Sequence, residues 1–459
     1  MVLKIYNTLS RKKESFKPIK EGEVNLFVCG PTVYNSSHLG HAKTYVQFDV
    51  IVKFLRFKGY KVKYIQNITN IDDKIILKAK EEGLGEEGWE IVSERYEKSY
   101  LEDMKKLNVN SVNKYAKATN YMGQIISQVN CLIKMGYAYQ ISDGWYFDLS
   151  KCKDYGKLAK RTSQKADDAV SRIDENKEKK NKGDFCLWKF SKKGEPKWET
   201  KIGEGRPGWH IEDTAITEKE FGPQYDVHGG GIDLIFPHHE AEIAQMESIS
   251  GKKPLVKYWL HTGFLEIDKG KMSKSKGNFY GLKEIMEKGY NPLHLRYLFL
   301  LGHYKKPLNF SWESLNSARN AYEKLKNNLS KIKSSKSKIN QKNVDSVKKQ
   351  FIQILDDDFN VPRALSYLWD ILREEKLNDS EKFKIITEFD KVFDLDLSLD
   401  KEEIQEVPSE ILKLAKERDE LRKNKKFKES DEIRDKINKQ GFVVEDSEAG
   451  SVIKKRGGN

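Results

Sequence analysis

An α/β fold built on a parallel sheet is what this 459-residue sequence predicts, and three stretches carry the prediction. Val24 to Val28 is a short apolar run that ends in Cys29 and a turn-forming stretch with Gly30 and Pro31, so it reads as a strand and then a loop. From Ala42 to Phe57 apolar residues cover most faces of a helix, which places that helix against a sheet with no half-exposed side. Tyr225 to His228 reads as a further strand end, Gly229 to Gly231 as a turn that admits a ligand close to backbone, and Pro237 onward as a helix. Proline is tolerated in a first helical turn. Length adds a soft expectation of about three domains.

Between the first strand and its helix stands His38-Leu39-Gly40-His41. A helix start gathers unpaired backbone N–H groups and the positive end of the helix dipole, which suits phosphate. His38 and His41 can add donors, and Gly40 removes a side chain where adenine or ribose approaches. Alone, the motif is equally compatible with a histidine pair that only starts a helix. A second stretch, Asp268 to Asn278, reads DKGKMSKSKGN and follows the apolar run Gly263 to Ile267. Lys271 and Lys274 are interleaved with Ser273 and Ser275 and bounded by Gly270 and Gly277, as in a mobile loop that closes two ammonium groups over a triphosphate. Together the two motifs resemble the signature of class I aminoacyl-tRNA synthetases. That resemblance implies a doubly wound, Rossmann-like catalytic domain in which Gly40, His38, His41, Lys271, Ser273 and Lys274 form the two halves of one ATP site.

Composition points the same way. A net charge of +13 suits a polyanionic partner without saying which one. Residues 321 to 350 hold nine Lys against Glu323 and Asp345, either a nucleic-acid contact or a decorated linker between helices. Cys29, Cys131, Cys152 and Cys186 show no CxxC spacing, and a disulfide framework is not expected in a chain this long. The start, MVLKIYNTLSRKKESFKP, lacks the apolar stretch of a signal peptide. No segment approaches the roughly 20 apolar residues of a membrane span. The expectation is a cytoplasmic protein with no membrane partner.

His238 and Glu242 are spaced i, i+4 on the helix after Pro237, so an imidazole and a carboxylate share one face and could hold one metal ion or form a plain surface pair. His239 is expected to point elsewhere. Cys29 ends the first strand, and carboxyl ends of strands line the ligand crevice of doubly wound folds. It is otherwise a small core residue. FVCGPTVYNSSHLGHA at 27–42, NITNIDDKII at 67–76, RPGWHIE at 206–212, HGGGIDLIFPHHEAEIAQ at 228–245 and KMSKSKGN at 271–278 resemble the cysteinyl-tRNA synthetases, and the likeness runs essentially the full length.

The resemblance implies a zinc ion that binds the thiolate of substrate cysteine, with Cys29, His238 and Glu242 among its ligands. Where the family usually carries a cysteine after Gly-Trp-His-Ile-Glu, this chain has Asp213. Carboxylate oxygen is a legitimate zinc ligand, but a harder one than sulfur. Zinc separates cysteine from serine because it favours a soft sulfur anion and lowers its pKa, so no editing domain is expected. By the same resemblance Thr69 and Trp209 hold the substrate carboxylate and Asp233 the α-amino group. His38, His41, Lys271 and Lys274 stabilise charge on phosphate during an in-line displacement at the α-phosphate of ATP. Mg²⁺ accompanies ATP; L-cysteine and tRNA(Cys) are the other partners, and a monomer is expected.

Beyond Asn309 the chain turns helical. Trp312 to Leu329 reads as an amphipathic helix, and DDDFNVPRALSYLWDILREE at 356–375 resembles the helical bundle of the same family. Pro408 and Ser409 open a helical pair stopped by Gly441, followed by a hairpin from Phe442–Val444 and Ser451–Ile453. This tail resembles the family's small anticodon-recognition domain. The expected division is a first catalytic half at 1–110, a connective insertion at 111–200, a second catalytic half at 201–310, a tRNA-binding helical bundle at 311–400 and the tail at 401–459. Two other functions share parts of this pattern: a cysteine ligase acting on an amino sugar in thiol biosynthesis, which lacks such a tail, and a non-catalytic tRNA-binding paralogue, which does not need both ATP motifs.

Overall fold

The computed structural model describes residues 2–160, 176–268, 270–271, 279–397, 409–424, 426–447 and 450–455. Its centre is a five-stranded sheet of β1 (Glu23–Val28), β2 (Lys61–Ile68), β3 (Lys114–Lys117), β4 (Tyr225–Gly231) and β5 (Val256–Thr262). The spatial order is β5-β4-β1-β2-β3, and every pairing is parallel. The chain starts in the middle, builds outward through β2 and β3, and returns to build the other side through β4 and β5. The strand order therefore reverses between β1 and β4. In such sheets that reversal leaves a crevice at the carboxyl ends, where ligands bind.

Helix α1 (Leu39–Phe57) follows β1 and is buried along nearly its whole length. Its polar positions, which look out of place on a buried helix, are cross-links to a later part of the chain. Lys43 donates to the Gly263 carbonyl at 2.7 Å, Gln47 to the Phe299 carbonyl at 2.6 Å, and Asp49 meets the Arg296 guanidinium at 2.7 Å. Asp49 also meets Lys53 at 2.5 Å and accepts from the backbone N–H of Asn110 and Ser111. Burial pushes the Asp49 carboxyl up, but Arg296 and Lys53 outweigh it and hold the group below its ordinary range. Arg296→Ala is expected to cost about 3–5 kcal/mol, because it takes from a buried carboxylate the stronger of its two cationic partners and leaves the Phe393 and Leu107 carbonyls without this donor. A lowered urea midpoint at pH 7 measures this. Since Asp49 has a depressed pKa, the pair's contribution is present above the unfolded carboxylate value and lost as pH falls through the folded one, so the deficit should shrink in acid.

Gly229 to Gly231 is the end of strand β4 and not a turn. The glycines answer to packing on both sides of the strand: on the face opposite Gly229 and Gly231, a Cβ on Gly230 would lie 3.0 Å from the His239 ring. A Cβ on Gly229 would lie 2.2 Å from the Phe48 ring of α1, and one on Gly231 would lie 2.4 Å from Asp233 Oδ1. Two more helices complete the surroundings of the crevice, α2 (Ile211–Phe221) and α3 (His238–Ser250), the latter closed by Gly251 in the left-handed region at φ 66°.

A four-stranded antiparallel sheet of Ala138–Ile141, Gly144–Phe147, Phe185–Phe190 and Gly205–Pro207 sits between the two halves of the parallel sheet in sequence. The helices Trp312–Ile332, Gln341–Leu355, Val361–Arg373 and Asp379–Phe393 follow. Most of the Lys-rich stretch 321–350 thus lies on the first two of these helices, with a short connection between them. Asp358 joins the bundle to the amino terminus and to the catalytic half: it accepts from the Tyr6 N–H at 2.7 Å, the Tyr304 hydroxyl at 2.9 Å and the Lys305 ammonium. The tail forms the helical pair Ser409–Lys423 and Phe427–Lys439 and the antiparallel hairpin Phe442–Ser447 with Gly450–Lys455. Its own small core includes Ile411, Ile433, Ile437 and Val444. Among the described residues no helix is long and apolar enough to cross a membrane.

Candidate active site

The crevice at the strand reversal is a cleft of about 420 Å³. Cys29 stands just past β1, Thr262 closes β5, and both line it together with His38, His41 and Gly40 from the start of α1. Asp213 from α2, His238 from α3, and Thr69, Trp209 and Asp233 line the same cleft. Residues more than 200 positions apart in sequence therefore face one volume.

At its base Cys29, Asp213, His238 and Glu242 close a ring. Cys29 Sγ is 3.3 Å from Asp213 Oδ2 and 4.0 Å from Glu242 Oε1, while His238 Nε2 is 3.1 Å from Asp213 Oδ2 and 3.2 Å from Glu242 Oε1. Ligands at zinc bond lengths of 2.0–2.3 Å sit about 3.4 Å apart on a tetrahedron, so these spacings fit one small divalent ion. Burial, then the charges of Asp213 and Glu242, raise the Cys29 thiol well above its ordinary value. Burial and Asp213 do the same to Glu242, whose Oε2 is buried, has no hydrogen-bond partner among the described residues and lies 3.5 Å from His228 Nδ1. Three acids buried this close together are adverse for one another and would be favourable around a dication, whose charge opposes each of these shifts. The residues present fit a metal.

His239 does not point away. Its Nε2 lies 3.1 Å from Cys29 Sγ, and it belongs with Cys29, His238 and Glu242 to a group whose donor atoms all lie within 4.8 Å of one another. Three-residue spacing puts His239 and Glu242 on one side of a helix, a signal the i, i+4 pair overshadowed. Asp213 and His239 therefore compete for the fourth position. One Asp213 oxygen contacts both Cys29 and His238, while His239 turns Nε2 toward Cys29 with its Nδ1 held by His261 Nε2 at 2.8 Å, as the second nitrogen of a ligating imidazole commonly is. His228 Nε2 is a second neighbour of Cys29 Sγ at 3.2 Å. Behind His238, its Nδ1 faces His210 Nδ1 at 2.8 Å, so one of the two carries the proton and the other accepts. Burial holds His210, His228 and His239 well below the usual imidazole range, with neighbouring imidazoles adding to it. They are neutral, the form that ligates metals or donates to a thiolate.

Towards the other end of the cleft, His38 is the N-cap of α1 and accepts from the His41 backbone N–H at 3.2 Å. The two imidazoles stack with centroids 3.7 Å apart. Burial first, then His38, lowers the His41 pKa well below its ordinary value. Lys271 lies on a two-residue strand paired with Leu265–Ile267, opposite Glu266. Ser273 and Lys274 fall outside the described residues.

The remaining pocket residues take defined positions. Trp209 is 42% exposed and its indole stacks on the His238 ring at 4.3 Å. Asp233 lies on a single 3₁₀ turn, Ile232–Ile235, between β4 and α3. The Thr69 hydroxyl donates to Glu212 Oε2 at 3.1 Å. Glu212 is buried, and burial followed by the charge of Asp213 raises its pKa well above the carboxylate range. Glu212 has no motif of its own in the sequence, and its one local signal is its place beside Asp213 in a first helical turn, where acids are favoured.

Two family descriptions and several known proteins match the chain. The family described as tRNA synthetases class I (C) catalytic domain matches residues 15–320, and the DALR domain matches residues 350–393. A protein named cysteine–tRNA ligase from Thermococcus gammatolerans is 43% identical over 99% of both chains. One of the same name from Thermoplasma volcanium is 44% identical over 96% of this chain and 97% of its own length. Among solved structures, Mycobacterium tuberculosis methionyl-tRNA synthetase with methionyl-adenylate shares the fold at TM-score 0.57 and 15% identity, covering 82% of this chain and 91% of that one. The Agrobacterium radiobacter LeuRS complex with tRNA does so at TM-score 0.60 and 9% identity, over 83% of this chain and 84% of that one.

Proposed function

The chain belongs to the cysteine–tRNA ligase family of class I aminoacyl-tRNA synthetases, and from that premise we propose how its own residues divide the work. The observation that carries the reading is the convergence, in one cleft, of the α1 start with the ring of Cys29, Asp213, His238 and Glu242. ATP lies with its phosphates toward the amino end of α1, where backbone N–H groups, the helix dipole and the His41 imidazole supply donors. Lys271, Ser273 and Lys274 close over the phosphates from the opposite side, with Mg²⁺ accompanying the nucleotide. The cysteine substrate lies between this region and the ring: Trp209 and Thr69, whose hydroxyl exchanges its bond to Glu212 for one to the ligand, hold its carboxylate and Asp233 its ammonium.

Cys29, Asp213, His238 and Glu242 are the residues that would hold zinc. When bound there, zinc supplies a soft Lewis acid that lowers the pKa of a thiol and prefers sulfur to a serine hydroxyl. The carboxylate of bound cysteine attacks the α-phosphate, pyrophosphate leaves, and a terminal ribose hydroxyl of tRNA then displaces AMP from the mixed anhydride. The chain contributes positioning and donors for charge that grows on phosphate oxygens, with no covalent nucleophile.

Cysteine-dependent ATP–pyrophosphate exchange followed by charging of tRNA(Cys) tests the reading, and exchange without tRNA charging would overturn it. In this scheme the bundle within 311–400 and the tail within 401–459 face tRNA. Deleting everything after Pro408 is expected to leave exchange largely intact, because every residue assigned to ATP, cysteine and metal lies before residue 280. Charging is expected to weaken by about tenfold or more, the scale of 1.4 kcal/mol of lost binding. Equal charging by the truncated chain would remove the tail from tRNA recognition.

A further inference from the structure

We propose that Asn67 is the positioning residue that makes Asp213 a one-oxygen metal ligand. The inference rests on the reading of Asp213 as a ligand. A carboxylate has two equivalent oxygens and turns freely about its last bond, so it gives one of them to a cation reproducibly only if something holds the other. Asp213 is buried, and its oxygens are differently placed. Oδ2 faces the ring, 3.3 Å from Cys29 Sγ and 3.1 Å from His238 Nε2. Oδ1 points the other way and accepts from Asn67 Nδ2 at 2.7 Å.

The orientation of the Asn67 amide is set independently of Asp213. Its Oδ1 accepts from the backbone N–H of Gly30, a group that can only donate, so the NH₂ end must face Asp213. Position 30 leaves no room for anything but glycine: a Cβ there would lie 1.7 Å from the Asn67 carbonyl oxygen. Asn67 near the end of β2 is thereby pressed against the residue that follows Cys29 while it holds Asp213 on α2. One buried amide ties together the segments that carry two of the four ring residues, and they are 184 positions apart in sequence. A thiolate at position 213 would need no such partner, since sulfur offers a single donor atom.

Zinc affinity of the full-length chain, measured by competition with a chromophoric chelator, tests this. Asn67→Ala is expected to weaken zinc binding about 10- to 100-fold, the usual cost of losing a hydrogen-bond partner of a metal ligand. In an Asp213→Cys background the same change should leave affinity close to that of Asp213→Cys alone. A residue that merely supported the local fold would weaken binding equally in both backgrounds, and that result, or unaltered affinity in Asn67→Ala, overturns the proposal. If Asn67→Ala is recovered unfolded, the near-isosteric Asn67→Leu makes the same comparison. Cobalt-loaded protein gives a readout at saturating metal: the strong visible absorption of four-coordinate cobalt should fall in Asn67→Ala as the freed carboxylate changes its mode of binding, and persistence of that absorption counts against the proposal. Wild-type zinc affinity in Asp213→Ala would instead defeat the ligand reading itself, so the two failures are separable.

Discussion

Replacing His238 by alanine is expected to abolish stoichiometric metal binding and, with it, most of the preference for cysteine over serine. Both sets of four residues that could hold the ion contain His238, Cys29 and Glu242, and His238 Nε2 lies within 3.2 Å of two other ring members. Its removal takes imidazole from a site that has a single sulfur of its own and leaves Asp213 and Glu242 facing each other across a buried space. The effect should exceed the 10- to 100-fold typical of partners one layer out. Selectivity should drop to about 100-fold or less, which is what an apolar pocket achieves against a near-isostere that carries a hydroxyl. Elemental analysis together with cysteine- and serine-dependent exchange measures both. His239→Ala and Asp213→Ala, run beside it, separate the two candidates for the fourth position: the ligand reading requires the Asp213 variant to lose metal and the His239 variant to keep it. Full metal content in His238→Ala would dismantle the site.

The fold was legible where periodicity and turn residues sit in one stretch of chain. The strand ending at Val28, the buried helix that follows, the amphipathic helix from Trp312 and the helical pair with its hairpin after Pro408 are all local patterns, and the structure places them within a few residues of their expected bounds. Gly229 to Gly231 was misread because three glycines ordinarily break a strand. Here the bulk they make room for, such as Phe48, comes from elsewhere in the fold. The site was legible to the extent that its residues carry distinctive chemistry. Cys29, His238 and Glu242 announce themselves by type and spacing. His228, His261 and Asn67 do not, since what gives them a role is who they face. Nothing near Asn67 in sequence indicates that its amide meets residue 213, 146 positions away. Polar residues on a buried helix are a signal of distant partners: Lys43, Gln47 and Asp49 each mark a long-range bond that fastens α1 to the segment 263–302.

His41→Ala is expected to slow cysteine activation about 100- to 1000-fold, the loss that follows removal of one donor aimed at charge growing in the transition state. The structure narrows what kind of donor this is. His41 stacks on His38, and burial together with that neighbour pushes its pKa well below the imidazole range. Both effects favour the neutral imidazole in the free chain, and the expectation is that it works through an N–H bond and not through a positive charge. Two consequences distinguish this from a cationic role. First, a neutral amide donor of similar reach should substitute in part, so that His41→Asn recovers a good share of the activity lost in His41→Ala. Second, the direction of the shift sets the expected pH response: a His41 that acts in its neutral form contributes no fall in activation rate between about pH 6 and 8, where an unperturbed imidazolium would be losing its proton. Single-turnover adenylate formation across that interval, in the native chain and both variants, decides the matter. Equal impairment of His41→Asn and His41→Ala, with a native rate that declines through the imidazole range as pH rises, would mean that His41 acts as a cation. An unaltered rate in His41→Ala would remove it from the phosphate site.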